Sequence, residues 1–206
     1  VVFPAPYWVS YPEMAKLCGG VGVPVLAENG GFYPRLKDIE AKIGQYTRAV
    51  IINSPNNPTG AMYSEQFIAE IVEFCEQRDL YLIMDDIYHR LIFDGRKPIN
   101  CCKFAKKLDE SSKLVVVNGV SKQYAMTGFR IGWAVANKKL IKVLTNIQSH
   151  QTSGPSALCQ QAAVGALNGV QSSVESLRVT LENNRNVLID RLKTFDGVKV
   201  YKPDGT

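Results

Sequence analysis

The stretch Lys113-Leu114-Val115-Val116-Val117-Asn118-Gly119-Val120-Ser121-Lys122-Gln123-Tyr124-Ala125-Met126-Thr127-Gly128-Phe129-Arg130 decides how the rest of the chain is read. It opens on an apolar, β-branched run that stops at Asn118-Gly119, and a short apolar run closed by turn residues reads as a buried strand. Open parallel sheets bind ligands beyond the carboxyl ends of their strands. Lys122 falls just past such an end, where an amine can condense with an aldehyde once it has shed its proton. Arg130 follows in the same connection, and a guanidinium holds a phosphate with a planar fork of donors. Alone, a lysine reads as a solvated surface group, because lysine is almost never buried. Other strand ends must call for the same chemistry.

Upstream, Leu80-Tyr81-Leu82-Ile83-Met84 is a further strand, closed by Asp85-Asp86-Ile87-Tyr88. Two acids straight after a buried strand are costly unless paired. They read either as a helix cap or as a carboxylate aimed at a cationic ligand atom. Before that, Ala49-Val50-Ile51-Ile52-Asn53 runs into Ser54-Pro55-Asn56-Asn57-Pro58-Thr59-Gly60, whose prolines, asparagines and glycine force an irregular loop. Ser64 is placed to cap a helix reaching Arg78, with Phe67, Ile68, Ile71, Val72 and Cys75 as its apolar stripe. At the start, Val1-Val2-Phe3 reads as a strand tail and Pro4-Ala5-Pro6-Tyr7-Trp8 as a rigid loop. Its aromatics either pack on the core or offer a flat stacking face. Pro12 to Leu17 reads as a helix stopped by Gly19-Gly20, Gly22 to Leu26 as a strand and Asn29-Gly30-Gly31 as a turn. Leu36, Ile39 and Ile43 mark one face of a short helix.

Downstream, Ile131 to Ala136 reads as a strand. Lys138 to Ser149 reads as a helix with Leu140, Ile141, Val143, Leu144 and Ile147 inward, and Ser153-Gly154-Pro155-Ser156 starts another that reaches Leu167. Gly169 to Ser173 is a candidate boundary. Leu177, Leu181, Leu188, Leu192 and Phe195 then space out a long amphipathic helix, and Val198 to Tyr201 begins a new strand. Strands alternating with helices predict an α/β fold, a mainly parallel sheet flanked by helices. The boundary divides the chain into residues 1–172 and 173–206.

Size and composition fit this picture. The 206 residues suffice for one core-bearing domain and a piece of a second. Hydrophobic residues make up 46% and charged residues 21%, which is ordinary for a soluble globular chain. The net charge of +5 is scattered; its one cluster, Lys103, Lys106 and Lys107, lies beside Asp109 and Glu110 without interleaved aromatics. That reads as a solvated face, so no nucleic-acid partner is expected. Five cysteines without a C-x-x-C pair point to reduced thiols and a cytoplasmic location. The two histidines, His89 and His150, form no metal-ligand cluster, so no metal site is expected. No apolar run is long enough to span a membrane. A start at Val1 inside a strand and an end at Asp204-Gly205-Thr206 inside a turn read as an excised segment.

An aromatic loop (Trp8), an Asn-Pro loop (Asn57), an acid with a tyrosine (Asp85, Tyr88) and an amine with a guanidinium (Lys122, Arg130) together fit the needs of pyridoxal phosphate. Its aldehyde needs an amine, its pyridine nitrogen an acid, its phenolic oxygen donors and its phosphate an arginine. The chain resembles the large domain of fold-type I pyridoxal-phosphate enzymes, specifically class I/II aminotransferases of the aspartate aminotransferase kind. The resemblance rests on Pro6-Tyr7-Trp8, Ser54-Pro55-Asn56-Asn57-Pro58-Thr59-Gly60, Asp85-Asp86-Ile87-Tyr88, and Ser121-Lys122 through Thr127-Gly128-Phe129-Arg130-Ile131-Gly132. These run in family order over about the first 170 residues.

The resemblance implies that Lys122 carries the cofactor and shuttles a proton, and that Asp85 pairs with the pyridinium nitrogen. It implies that Tyr88 and Asn57 bond the phenolic oxygen, Trp8 stacks on the ring and Arg130 binds the phosphate. It further implies a cis Asn57–Pro58 bond, with Ala5–Pro6 a second candidate, and amino acids and 2-oxo acids as substrates of a homodimeric parent protein. Residues 1–172 then correspond to the large cofactor-binding domain, and 173–206 to an interdomain helix and the start of a small domain. Gly119 stands where many relatives carry serine, and Asp86 where glutamate is usual. The family's phosphate loop, substrate-carboxylate arginine and donated tyrosine fall outside residues 1–206, so the segment alone is expected to show little or no turnover and to retain the cofactor weakly. A pyridoxal-phosphate lyase and an aminotransferase-like sensor domain of a transcription regulator are the alternative readings.

Overall fold

Five short runs, most of them rich in β-branched residues, lie side by side and point the same way. A computed structural model describes residues 1–28 and 30–206. It contains strands β1 (Val2–Pro4), β2 (Val23–Val25), β3 (Ala49–Asn53), β4 (Tyr81–Asp85) and β5 (Leu114–Gly119), all parallel, with β6 (Gly132–Val135) antiparallel at one edge. The sheet order is β2-β1-β3-β4-β5-β6. The helices are α1 (Ser10–Leu17), α2 (Leu36–Glu40), α3 (Glu65–Gln77), α4 (Lys138–Thr152), α5 (Ala157–Asn168) and α6 (Ser172–Leu192). The expected mainly parallel sheet flanked by helices is therefore present. Of the turn expected at Asn29-Gly30-Gly31, Asn29 lies outside the described residues; Gly30 has φ +68°.

One face of the sheet is sealed by α3. Ser64 caps that helix by accepting from the Phe67 amide at 3.1 Å, and its stripe buries Phe67, Ile68, Ile71, Val72, Phe74 and Cys75. Against it lie Val50 and Ile52 of β3, Leu82 and Met84 of β4, and Leu114 and Val116 of β5. Every side chain of β3 is buried, as expected of a central parallel strand covered on both faces. Alternation along β4 puts Leu82 and Met84 into this core and turns Ile83 and Asp85 to the other face. Register then fixes the site, with Asn53 opposite Asp85 and Asp85 opposite Val117.

Three expectations fail in the C-terminal half. Helix α4 buries none of its residues, so Leu140, Ile141, Val143, Leu144 and Ile147 do not point into a core; Ile147 is 48% exposed. Helix α6 turns Val174, Arg185 and Ile189 inward, while Leu188 stays 58% exposed and Phe195 also faces out. Its orientation follows an ion pair between Arg185 and Asp94 at 2.7 Å, a polar contact that an apolar stripe does not reveal. Residues Val198 to Tyr201 form no strand. Side chains fix that segment instead: Tyr201 bonds Tyr33 through the hydroxyls and packs its ring edge-on against Phe32, with centroids 4.6 Å apart. A single bridge between Ile92 and Gly205 follows it.

Candidate active site

Every parallel strand from β3 to β5 ends in polar residues at the same edge, and the connections beyond them curl round one cleft of about 500 Å³. The cleft is lined by all six residues singled out from the sequence: Trp8, Asn57, Asp85, Tyr88, Lys122 and Arg130.

Asp85 is the last residue of β4, and Asp86 follows it. Because adjacent residues leave a strand on opposite sides, only Asp85 enters the cleft. Asp86 lies on the other side, with His89 Nδ1 2.8 Å from its carboxylate. Neither acid caps a helix, since residues 87–90 form turns. Burial pushes the pKa of Asp85 above the usual carboxylate range, and bonds from the Tyr11 hydroxyl and the Ile87 amide pull the other way. Desolvation favours the neutral acid until a cation faces it, when the charged form is restored.

Tyr11 was not singled out from the sequence. Its hydroxyl donates to Asp85 Oδ2 at 2.6 Å, and its ring meets Trp8 edge-on with centroids 5.7 Å apart. The available signal was the spacing of Trp8 and Tyr11 at the start of α1, which brings both rings to one side of that turn. Asn53 was missed as well. It ends β3, donates from Nδ2 to the Asp85 carbonyl at 2.8 Å, and accepts from the Asn57 amide at 2.7 Å. One amide side chain thereby ties two cleft-forming segments together. A polar residue closing an otherwise apolar run was the sign of it.

The loop after β3 contains cis bonds at Ser54–Pro55 and Asn57–Pro58, and Ala5–Pro6 is also cis. The Asn57 bond and the Ala5 bond agree with expectation; the Ser54 bond was not foreseen. Asn57 Nδ2 donates to the Tyr88 hydroxyl at 3.3 Å, so amide and phenol form one polar pair. Burial raises the Tyr88 pKa, and the Asn57 bond opposes this.

The β5–β6 connection supplies the cationic side. Lys122 Nζ sits 6.0 Å from the centre of the Tyr88 ring. Arg130 adopts a left-handed backbone, φ +54°, and one guanidinium nitrogen donates to the Thr127 carbonyl at 2.8 Å. Where β5 meets β6, Gly119 faces Gly132. A Cβ on Gly119 would lie 2.8 Å from the Ile131 carbonyl oxygen, and one on Gly132 would lie 2.9 Å from that of Asn118. Serine at position 119 would thus require the two strands to move apart.

As a donor set, the cleft offers a desolvated carboxylate, an amide–phenol pair, a primary amine, a guanidinium and an indole face. This matches the demands of pyridoxal phosphate group by group: acid for pyridine nitrogen, donors for phenolic oxygen, amine for aldehyde, guanidinium for phosphate.

The family model described as "Aminotransferase class I and II" matches residues 1–206. The aspartate aminotransferase of Bacillus subtilis (strain 168) is 38% identical over 206 residues, covering all of this chain and 52% of that protein. A probable aspartate/prephenate aminotransferase of Rickettsia bellii is 42% identical over 209 residues, covering 51% of its own length. Among solved structures, the aspartate aminotransferase from Rhizobium meliloti superposes with a TM-score of 0.93 at 35% identity, over the whole chain and 51% of the other. An aromatic aminotransferase from Pyrococcus horikoshii gives 0.91 at 32%, over the whole chain and 55% of the other. The chain spans about half the length of the relatives it matches.

Proposed function

The chain belongs to the class I and II aminotransferase family, and on that premise we propose that the protein containing these residues transfers an amino group between an L-amino acid and a 2-oxo acid with pyridoxal phosphate. The observation that carries the reading is the convergence of Asp85, the Asn57–Tyr88 pair, Lys122 and Arg130 on one cleft at the carboxyl edge of the sheet.

Bound pyridoxal phosphate supplies an electron sink for negative charge at the substrate α-carbon. Asp85 holds a cationic ring N–H with its carboxylate, which the Tyr11 hydroxyl keeps oriented. Asn57 and Tyr88 direct their polar atoms toward a phenolic oxygen, and Arg130 holds the phosphate. Trp8 presents its flat face to the ring. Lys122 Nζ would hold the cofactor through its aldehyde carbon and, once the substrate amine has displaced it, the freed amine would take the proton from the α-carbon and return it to that former aldehyde carbon.

The relatives' names make aspartate the first donor to assay. Residues 1–172 serve as the cofactor-binding domain in this proposal, and 173–206 as the interdomain helix with the start of a small domain. A cytoplasmic homodimer is part of the same reading. All five cysteines are free, which supports a reducing compartment, and the exposed apolar side chains of α4 and α5 support a partner subunit. No helix among the described residues is long and apolar enough to cross a membrane.

Borohydride reduction of the chain after incubation with pyridoxal phosphate, followed by peptide mass spectrometry, tests the assignment. The label is expected on Lys122 and absent from Lys122→Ala. Labelling of a different lysine, equally strong in Lys122→Ala, overturns it.

A further inference from the structure

The C-terminal residues Pro203–Thr206 are far from the cleft in sequence, yet they lie against two of the segments that form it. The Asp204 amide donates to the Gly60 carbonyl at 2.8 Å, and the Asp204 carbonyl accepts from the Phe93 amide at 2.8 Å. The Thr206 amide donates to the Leu91 carbonyl at 2.9 Å. Gly60 closes the loop that bears Asn57, and Leu91 is tied to the turn that bears Tyr88, since the Leu91 amide donates to the Tyr88 carbonyl at 2.8 Å. The packing leaves no slack. A Cβ on Gly60 would sit 2.4 Å from Pro203 Cβ, and one on Gly205 would sit 2.5 Å from the Leu91 carbonyl oxygen and 2.7 Å from Pro55.

The Asp204 side chain is the knot. It is 5% exposed. Oδ2 accepts from the Met62 amide at 3.0 Å and from the Tyr33 hydroxyl at 2.7 Å, while Oδ1 lies 2.9 Å from the Arg96 guanidinium. One carboxylate therefore joins the segment after the Asn57 loop, the segment before α2 and the segment after the Tyr88 turn. Asn53 ties the Asn57 amide to the end of β4, but its side chain makes no bond to the turn that bears Tyr88. At 3.3 Å the mutual bond of Asn57 and Tyr88 is long, so it cannot by itself set their spacing.

We propose that Asp204 is a positioning residue for the Asn57–Tyr88 pair: the Pro203–Thr206 strap clamps the loops that carry them, and so sets the shape of the cofactor cleft. The strap is in turn tied to α6, because the buried Arg185 donates to the Pro203 carbonyl at 2.8 Å while gripping Asp94 with both terminal nitrogens. Arg185 also stacks on Phe93 at 4.8 Å. Arg185 thereby links α6 to the strap, whose Asp204 amide bonds the Gly60 carbonyl at the end of the Asn57 loop. The role assigned to the pair rests on the proposed function; the clamp itself does not.

Two readouts on the 206-residue chain separate these ideas. The first is hydrogen–deuterium exchange. Asp204→Ala is expected to speed exchange of the Asn56, Asn57 and Gly60 amides by about tenfold. None of these amides bonds Asp204 directly, because they are held by Ala61, Asn53 and Asn56. The amides of Ile71 in α3 and Leu82 in β4 should keep their rates. Asp204→Asn can still accept from Met62 and is expected to restore most of the protection. If the alanine variant does not fold, Tyr33→Phe carries the test: it removes one donor to the same carboxylate and is expected to speed exchange of the same amides severalfold, and unchanged rates there overturn the clamp. The second readout is the Kd for pyridoxal phosphate by fluorescence titration, which should weaken about tenfold in Asp204→Ala and much less in Asp204→Asn. Unchanged exchange at Asn56–Gly60, or acceleration spread evenly through α3 and β4, overturns the clamp. Loosened loops with an unchanged Kd overturn the positioning role. If the protein containing these residues, with its remaining segments present, binds no pyridoxal phosphate, the functional reading fails while the exchange data still decide the clamp.

Discussion

Helices α3 and α4 carry the same kind of apolar stripe and meet opposite fates. In α3 six side chains are buried against the sheet; in α4, the longer of the two, none is. Both start with a proper cap: Ser64 accepts from Phe67, and Asn137 accepts from Leu140 at 2.9 Å. The stripe therefore records which face of a helix is apolar, and burial depends on whether another element lies over it. α3 has β3, β4 and β5 beneath it. α4 is anchored at its start, where Asn137 also donates to the Ser112 carbonyl at 2.8 Å, and its face is open.

Substitutions can break or sharpen this contrast. Ile71 is fully buried, so Ile71→Ala should cost roughly 2–5 kcal/mol, read by urea denaturation. Asn137→Ala should cost about 1–2 kcal/mol, because it removes a cap and leaves a buried carbonyl without its donor. In α4 the cap thus outweighs the stripe, the reverse of α3.

Asp85→Asn extends the contrast to strand β4, whose Met84 is sealed while Asp85 faces the cleft. A carboxyl whose folded pKa is raised binds its proton more tightly in the folded chain. Its destabilising effect is absent below the unfolded value, grows as pH rises through the window, and is complete above the folded value. The variant should therefore unfold at a higher temperature than the parent at neutral pH, with the gain vanishing in acid. Thermal scans across that range check the sign; a loss of stability at neutral pH would contradict it. The smallest effect belongs to Ile147→Ala, within about 0.5 kcal/mol in the dilute chain. A cost comparable to that of Ile71→Ala would mean the α4 face is covered in solution, and sedimentation at rising concentration would then show association.

The sequence made the sheet legible because each buried strand is a short apolar run ended by turn chemistry, and the hydrophobic effect is read directly from such runs. The cleft was legible for a related reason. Asn57, Asp85, Lys122 and Arg130 are polar or charged residues at the ends of apolar runs, where they have no packing role. Tyr11 escaped because a tyrosine beside a helix start is as much at home in a core as in a site, and its meaning comes from a contact with Asp85, far away in sequence. Arg185 and Asp204 escaped for the same reason: each is buried by partners that local periodicity cannot name. The reversal at β6 was likewise invisible, since alternation of strands and helices says nothing about the direction of the edge strand.

That reversal has a consequence for length. The connection from β4 to β5 joins parallel strands and must travel back along the sheet, through turns and a short 3-10 segment at Cys101–Phe104. One residue more or less can be absorbed there as slack. The connection from β5 to β6 leaves and returns at the same rim, held shut by Gly119 against Gly132. It carries Lys122 near one end and Arg130 near the other, so it works as a ruler whose two marks are the amine and the guanidinium. An added residue between them changes the measured interval itself, whereas the same residue added after β4 changes only the route.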